Sequence, residues 1–577
     1  MARLILEVLL MGKKEYLALN NPLIYIFIIF ITCAYTFEVY QYNRLLAALT
    51  ASSLFILLML KKRPVVIAIL AVFILVAYLD NHFYYSYIPA AKEEVRITKL
   101  NSGYGIGEIK GRLVSITIDD GAINVGDKIK AEGSFIADPT FTKGIIGIYR
   151  INKYKVMQKD LISYLSSIRR GIYQSINEKL GERKAALLSS MAFGYTDNID
   201  QDDRDDLGNL GISHIIAVSG LHLAIVYMLL KKIFKVPAAL ALTLIYVLFT
   251  GASASTIRAY VMVLLMELGF ILRRNYNPLA ALSFAGIVSL IIKPYYIFNL
   301  GFALSFSAAL GIILFNKRIN KKLYKLPVVI RDTAAVSLSA QIFTLPISII
   351  YFSEYSFNFL LGNMLAIPLM NILIILGIIL IFTWKVPLIF NYILYLCHYL
   401  IRIEDYIIMV LGRISMDKLI IHWSAAAFFI AFLITYYFYQ KGYKKFIYFP
   451  IIVLIYVIIT DYSLVPSIKN YRDGGLLISY KGQKQLIIYN EEAEVDKLSR
   501  KSLCNKVLYK NHFKKIVISR DIILSRKGEN YLMETNKGEY ILKVNYGKAN
   551  GGYDIIDFIK GDITEIKVFD DDGIMYK

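Results

Sequence analysis

A succession of apolar runs, each reaching or approaching the ~20 residues that cross ~30 Å of hydrocarbon, constrains this chain more than any other feature. Three open the sequence, near 21–36, 45–60 and 64–79. Ten more lie near 210–230, 236–250, 256–272, 278–292, 296–315, 333–351, 358–383, 386–401, 419–439 and 446–460. Of 577 residues, 57% are hydrophobic and only 19% charged, where a soluble chain carries about 25% charge. A soluble enzyme, a disordered tail and a fibrous protein are excluded. The pattern predicts a mostly α, polytopic transmembrane helix bundle of about 13 spans. Cys33, Cys397 and Cys504 are far apart and no CxxC occurs, so neither a disulfide framework nor a thiolate metal site is expected. Ile31-Thr32 before Cys33 lacks the small residue of a lipoprotein cleavage site, and the first run reads as a retained anchor.

Two stretches break the apolar texture. Residues 92–158 alternate apolar and polar, as in Arg112-Leu113-Val114-Ser115-Ile116-Thr117-Ile118 before Asp119-Asp120-Gly121. Period-2 alternation running into a turn marks strands, with further strands expected over 127–137 and 145–157, and a compact β-module of this size fits a small barrel or sandwich. Residues 466–577 are polar and β-rich, with strand-like runs in 476–480 and 484–489. The predicted organisation is therefore N-terminal transmembrane helices (1–80), a β-module (92–158), an amphipathic helical segment (160–208), a transmembrane domain (209–461) and a β-rich tail (466–577).

The net charge of +21 fits either nucleic-acid binding or the Lys/Arg excess of cytoplasmic loops. With the N-terminus inside, the inner segments collect 21 Lys/Arg, among them Lys61-Lys62-Arg63, while the short outer loops hold five. That bias accounts for most of the charge and places the β-module, the 160–208 segment and the tail outside. Residues 92–159 still carry twelve Lys/Arg against eight Asp/Glu. Its last part sets Lys143, Arg150, Lys153 and Lys155 among Tyr149 and Tyr154. Cations interleaved with aromatic rings suit single-stranded nucleic acid, and equally an ordinary solvated strand face.

Within the spans, Gly211-Ile212-Ser213-His214-Ile215-Ile216-Ala217-Val218-Ser219-Gly220-Leu221-His222 holds costly polar groups. Read as one helix, His214 and His222 fall about 80° apart and one stripe carries both with Ser219. Ser219-Gly220 serves either a polar pathway or close helix–helix contact. A second cluster, Gly251 to Ala259, brings Arg258 into a span that also carries Glu267 nine residues on. Those two lie on opposite helix faces, so each needs a partner elsewhere; Arg258 contacts either a phosphate or an acidic neighbour. Asn299, Gln341 and Asn363 add polarity at depth, and Pro346 and Pro368 are expected to interrupt their spans. Broken helices lined by polar groups indicate a cavity, or kinks with locally satisfied amides.

The run Leu187-Leu188-Ser189-Ser190-Met191-Ala192-Phe193-Gly194, the Gly211–His222 block, and Ser255–Ala259 resemble the ComEC family of bacterial DNA-uptake channels, as do Asn299–Phe306, Gln341–Pro346 and Asn363–Pro368. The resemblance implies a channel that passes single-stranded DNA across the bacterial cytoplasmic membrane during natural transformation, with other competence proteins delivering DNA outside and pulling it inside. It also implies an OB-like character for the β-module. His214, Ser219, Gly220, His222, Arg258, Asn299, Gln341 and Asn363 become the expected pore or gate residues, and Lys143, Tyr149, Arg150, Lys153, Tyr154 and Lys155 the expected DNA contacts. Many members end in a metallo-β-lactamase-like domain, whose chemistry needs an HxHxDH-type ligand set. After His422 this sequence has only His512, so no metal, no cofactor and no nuclease is expected, and the tail reads as a degenerate remnant. A transporter of another polymer or lipid-linked precursor is the alternative. An intramembrane serine hydrolase is disfavoured, because Ala217-Val218 precede Ser219 where a GxSG motif has glycine.

Overall fold

The computed structural model describes residues 21–577 except 60–63, 102–103, 118–122, 417, 472, 491–492, 494, 511–514, 520, 537, 546–552, 560–562, 570–573 and 577. The basic loop Lys61–Arg63 and His512 lie outside the described residues. The chain forms two compact units, one of residues 1–344 and 356–417, the other of 345–355 and 418–577.

The first unit opens with α1 (Pro22–Tyr42), α2 (Arg44–Met59) and α3 (Pro64–Tyr85). Asn21 caps α1 through the Leu23 N–H, and proline stands at its first position, where no intrahelical N–H is lost. Next come β1 (Lys92–Asn101), β2 (Tyr104–Ile109), β3 (Arg112–Thr117), β4 (Lys128–Thr140) and β5 (Ile145–Val156). They close into a barrel in the order β1-β2-β3-β5-β4. All pairs are antiparallel except β3 with β5, which run parallel. The three strands expected from alternation are β3, β4 and β5, each within a few residues of its expected bounds. Inward positions Val95, Ile97, Val114, Ile116, Ile129 and Ala131 are fully buried, the fill of a barrel too narrow for a lumen.

The barrel is fastened to helices at both of its chain connections. On the α3 side, Tyr84 Oη donates to the Gly144 carbonyl and Tyr85 Oη to that of Phe141, each at 2.9 Å. Arg112 Nε donates to the Tyr84 carbonyl at 3.1 Å. Gly144, at φ +70°, lets the Tyr295 ring approach to where a Cβ would stand 2.1 Å from it, which excludes any side chain. On the far side, Asp160 caps α4 (Leu161–Leu180) through the Ser163 N–H and pairs with Arg96 of β1. Ser163 Oγ donates to the Gly126 carbonyl at 2.9 Å.

The amphipathic segment is three helices: α4, α5 (Glu182–Phe193) and α6 (Gln201–Asn209). Gly181 at φ +81° separates the first two, and Gly194 at φ +71° ends α5 in a left-handed cap. Then follow α7 (Gly220–Ile233), α8 (Val236–Phe249), α9 (Ala254–Ile271), α10 (Pro278–Ile292), α11 (Leu300–Lys322), α12 (Val328–Phe352), α13 (Phe359–Thr383) and α14 (Pro387–Ile414). Pro346 and Pro368 do not interrupt their spans: α12 and α13 each continue for 25 residues. A core of Leu188, Met191, Leu223, Val226, Met370, Leu373, Cys397 and Ile401 joins α5, α7, α13 and α14.

The second unit holds a two-residue pairing of β6 (Glu354–Tyr355) with β7 (Leu419–Ile420), then α15 (Trp423–Gln440) and α16 (Phe449–Tyr462). Its β-rich tail forms a six-stranded and a five-stranded sheet. Ile478, Ile487, Leu524, Tyr531 and Leu542, drawn from both sheets, share one buried core, the mark of a sandwich.

Among the described residues, six helices are long and apolar enough to cross a membrane: α1, most of α3, α9, α11, α12 and α13; α8 and α10 are apolar but shorter. Six of the about thirteen spans expected from the sequence fall on helices of that length and composition. The molecule is thus a membrane protein, mostly helical, with β-rich regions in its N-terminal part and at its C-terminus.

Candidate nucleic-acid interface and buried cationic site

On the barrel, the side-chain alternation of β5 sets which cations face outward. Tyr149 points in; Arg150 points out; the register shifts between the pairs Glu132–Lys153 and Gly133–Ile151; Lys153 and Lys155 then point out again. Arg150, Lys153 and Lys155 are exposed, and none makes an ion pair among the described residues. Lys130 of β4 stands directly across from Lys155. Two like charges opposite one another on a sheet repel, and sequence reading missed Lys130 because twenty-five residues separate it from Lys155. The neighbouring cations Lys92 and Lys128 are engaged by Glu132 and Glu94 at 2.7 and 2.6 Å. Lys143 is exposed in the turn between β4 and β5, and Tyr154 packs half-buried against the barrel core.

Tyr149 corrects the sequence reading. Its side chain is wholly buried, and its hydroxyl donates to the Ala90 and Ala91 carbonyls at 3.2 and 3.0 Å. It fills the barrel and offers no face to a base. Burial also raises its phenol above the ordinary range.

Within the helical part of this unit, the expected single span over 210–230 is divided. Gly211 at φ +69° leads into a 3-10 turn, Ser213–Ile215, and regular helix begins only at Gly220. The reason is local. Ser219 and His222 form a reciprocal cap: the Ser219 N–H donates to His222 Nδ1 at 3.0 Å, while Ser219 Oγ lies 2.8 Å from the same nitrogen and accepts from the Leu221 N–H at 3.3 Å. Ser-x-x-His therefore starts a helix here, as Ser-x-x-Glu commonly does. His222 is buried, whereas Ser213, His214 and Ala217 are exposed. The helical-wheel argument placing both imidazoles on one stripe does not apply.

Several chain breaks meet at this turn. The α8–α9 connection, with Gly251 at φ +88° and Ala252 at φ +48°, leads to Ser253, which caps α9. Ser255 Oγ donates to the Val218 carbonyl at 2.8 Å, so the start of α9 is tied to the start of α7. The Gly194 cap lies against Val218 and the Thr250 carbonyl. Gly362 of α13 packs on Leu210 and Ile212.

Arg258, one turn into α9, reaches across to α7. A Cβ at Gly220 would lie 2.9 Å from one of its terminal nitrogens, and its guanidinium stands 5.9 Å from the Phe306 ring centroid. It is half-buried and makes no hydrogen bond or ion pair among the described residues, and its Nε is sealed from solvent without a partner. Glu267 is not that partner, since Lys231 Nζ holds it at 2.6 Å. Of the remaining expected pore residues, Asn299 caps α11 through the Phe302 N–H at 3.0 Å. Asn363 Nδ2 donates to Ser337 Oγ at 2.8 Å, joining α13 to α12, and Gln341 Oε1 accepts from Thr344 at 3.3 Å. These three have local structural tasks. Arg169, which the motif search passed over, lies half-buried with Nη1 3.4 Å from the Phe249 carbonyl and beside Gly251.

Residues 191–443 match the family described as Competence protein. The chain is 28% identical over 237 residues to ComE operon protein 3 of Bacillus subtilis (strain 168), a stretch covering 39% of this chain and 28% of that protein. It is 35% identical over 109 residues to an uncharacterized protein of Aquifex aeolicus (strain VF5), covering 18% and 26% respectively. The matches span little more than a quarter of either relative's length. No solved structure matches. The family segment contains the Ser219–His222 cap, Arg258, Asn299, Gln341 and Asn363, and begins after the barrel.

Proposed function

We propose that this chain, a ComEC-type competence protein by its match over residues 191–443, takes its part in DNA uptake as the channel that admits single-stranded DNA. The observation carrying this reading is the meeting of segments outside the α-helices, 211–219 and 250–253, within the helical part of the unit, with Ser213, His214, Ala217, Gly251 and Ser253 exposed. Irregular backbone within a membrane protein is tolerated where it lines a watery cavity. A hydrated break suits a polyanion; a dry bundle does not.

In this reading the protein is a multi-pass component of the bacterial cytoplasmic membrane, its shorter apolar helices crossing beside the six long ones. Its N-terminus is cytoplasmic, and the charge bias sets the barrel and the tail outside. The barrel, which this reading takes as an OB-like module and whose closed five-stranded form supports that, receives the strand on Lys130, Arg150, Lys153 and Lys155. Membrane lipids surround the helices, and partner competence proteins deliver DNA outside and draw it inward. The chain transports and does not hydrolyse, and needs no cofactor: its tail lacks the histidine set of a metallo-β-lactamase site and is a remnant of such a domain. An uptake assay separating surface-bound from internalised DNA tests the assignment. A deletion strain should bind DNA and internalise none; import at the parental rate refutes it.

A further inference from the structure

We infer that Arg258 and the facing starts of α7 and α9 form an oxyanion cradle that takes one phosphodiester group of the passing strand, an inference resting on the channel reading above.

Each helix start carries about half a positive charge and unpaired N–H groups. Here two such ends are held together by the Ser255–Val218 hydrogen bond. The N–H groups of Gly220, Ala254 and Ser255 donate to no acceptor among the described residues. Into the same place α9 sends the Arg258 guanidinium, lying on Gly220 with no carboxylate, carbonyl or hydroxyl among the described residues to receive its donors. Three positive features converging without an anion repel one another. Two capped helix ends alone would be satisfied by water; a guanidinium set against them with its Nε sealed and unpaired is costly unless a negative group joins it.

The donor geometry names the ligand class. A planar fork of N–H donors beside helix N-termini matches a tetrahedral oxyanion. A Cβ at Gly220 would stand 2.9 Å from a guanidinium nitrogen, so an added methyl would push the end of the Arg258 side chain aside. Openness at His214, Leu221 and Gly251 gives a flexible polymer access to the cradle. A single phosphate contact per passage is strong enough to select a charged backbone and weak enough to release it.

The test is uptake by cells carrying the full-length chain, comparing an ordinary strand with one bearing a short block of uncharged methylphosphonate linkages. The parental protein should internalise the ordinary strand about tenfold faster, the scale of one lost charge-assisted contact. Arg258→Gln should slow the ordinary strand and bring the ratio near one, and Arg258→Lys should restore part of it. Gly220→Ala, which displaces the guanidinium without removing it, should also lower the ratio. A ratio unchanged in Arg258→Gln overturns the cradle, because a merely structural arginine slows both strands alike. No import by the parental protein would refute the channel reading itself. Binding of oligothymidine to purified chain in nanodiscs separates the remaining source of phosphate. Arg258-dependent binding in zwitterionic lipid that persists with phosphatidylglycerol supports the cradle, and its abolition by that lipid assigns the site to a headgroup and overturns it.

Discussion

Reversing the charge of Lys130, Arg150, Lys153 and Lys155 together gives the sharpest measurement of the barrel's role. These four cations share the outward face of β4 and β5 and make no ion pair among the described residues, the facing carboxylates Glu132 and Glu94 being held by Lys92 and Lys128, so each can neutralise a phosphate. For single strands the logarithm of affinity falls with the logarithm of salt by about 0.7 per phosphate contacted, so four contacts contribute a slope of about 2.8. Raising salt from about 50 to about 200 mM then weakens binding roughly fiftyfold through this face alone. Fluorescence anisotropy of labelled oligothymidine on the intact chain in nanodiscs reads both quantities. The four-residue glutamate variant should lose about 2.8 from the slope and bind far more weakly at low salt, with membrane insertion unchanged. A parental slope retained in the variant refutes the argument, because affinity then comes from elsewhere. Lys92→Ala, by contrast, should change little, since that cation is spent on Glu132.

Other consequences concern what holds the barrel and the helices. Hydrogen bonds from Arg96 and the Ser163 N–H hold the Asp160 carboxyl well below its usual range. Its contribution is therefore complete above the unfolded value of about 4 and disappears only as pH falls through the depressed folded value. Hydrogen exchange at Ser163 and Tyr164, normalised for intrinsic rate, should show equal protection at pH 8 and 6, with Asp160→Asn about tenfold less protected at both, mostly through loss of the cap. Tyr149→Phe should cost the barrel about 1–3 kcal/mol and Tyr149→Ala about 3–5, measured by proteolysis of the 92–158 region, while DNA affinity of the folded Phe variant stays unchanged. Glu267 is buried and Lys231 is half-exposed, so Lys231→Met alone, which leaves a buried carboxylate unpaired, should lower thermal stability by about 3 kcal/mol, with Glu267→Leu beside it recovering most of the loss.

The barrel was legible because alternation over Arg112–Thr117, Lys128–Thr140 and Ile145–Val156 is local information with a period of two. Which residues of β5 face outward was not, since a register shift at Gly133 resets the pairing and Tyr149 aligns inward. The two histidines misled for a similar reason. Helical spacing assumes a continuous helix, and the Ser219–His222 cap ends that continuity before His214. Arg258 was visible as an anomaly from its place in an apolar run. That it meets Gly220, thirty-eight residues away, depends on how α7 and α9 pack, which no local pattern encodes. Lys130 and Arg169 went unseen because each gains its meaning from a neighbour distant in sequence.

The double fastening of the barrel, by Tyr84, Tyr85 and Arg112 at one end and by Asp160 and Ser163 at the other, has a kinetic corollary. A domain on a floppy tether samples many positions, so a polymer caught by it meets its next station at random. Under the proposed function, a barrel clamped at both seams would offer a bound strand at a fixed offset, and transfer inward would become an intramolecular step governed by an effective local concentration of about millimolar rather than by the scarce supply of free DNA.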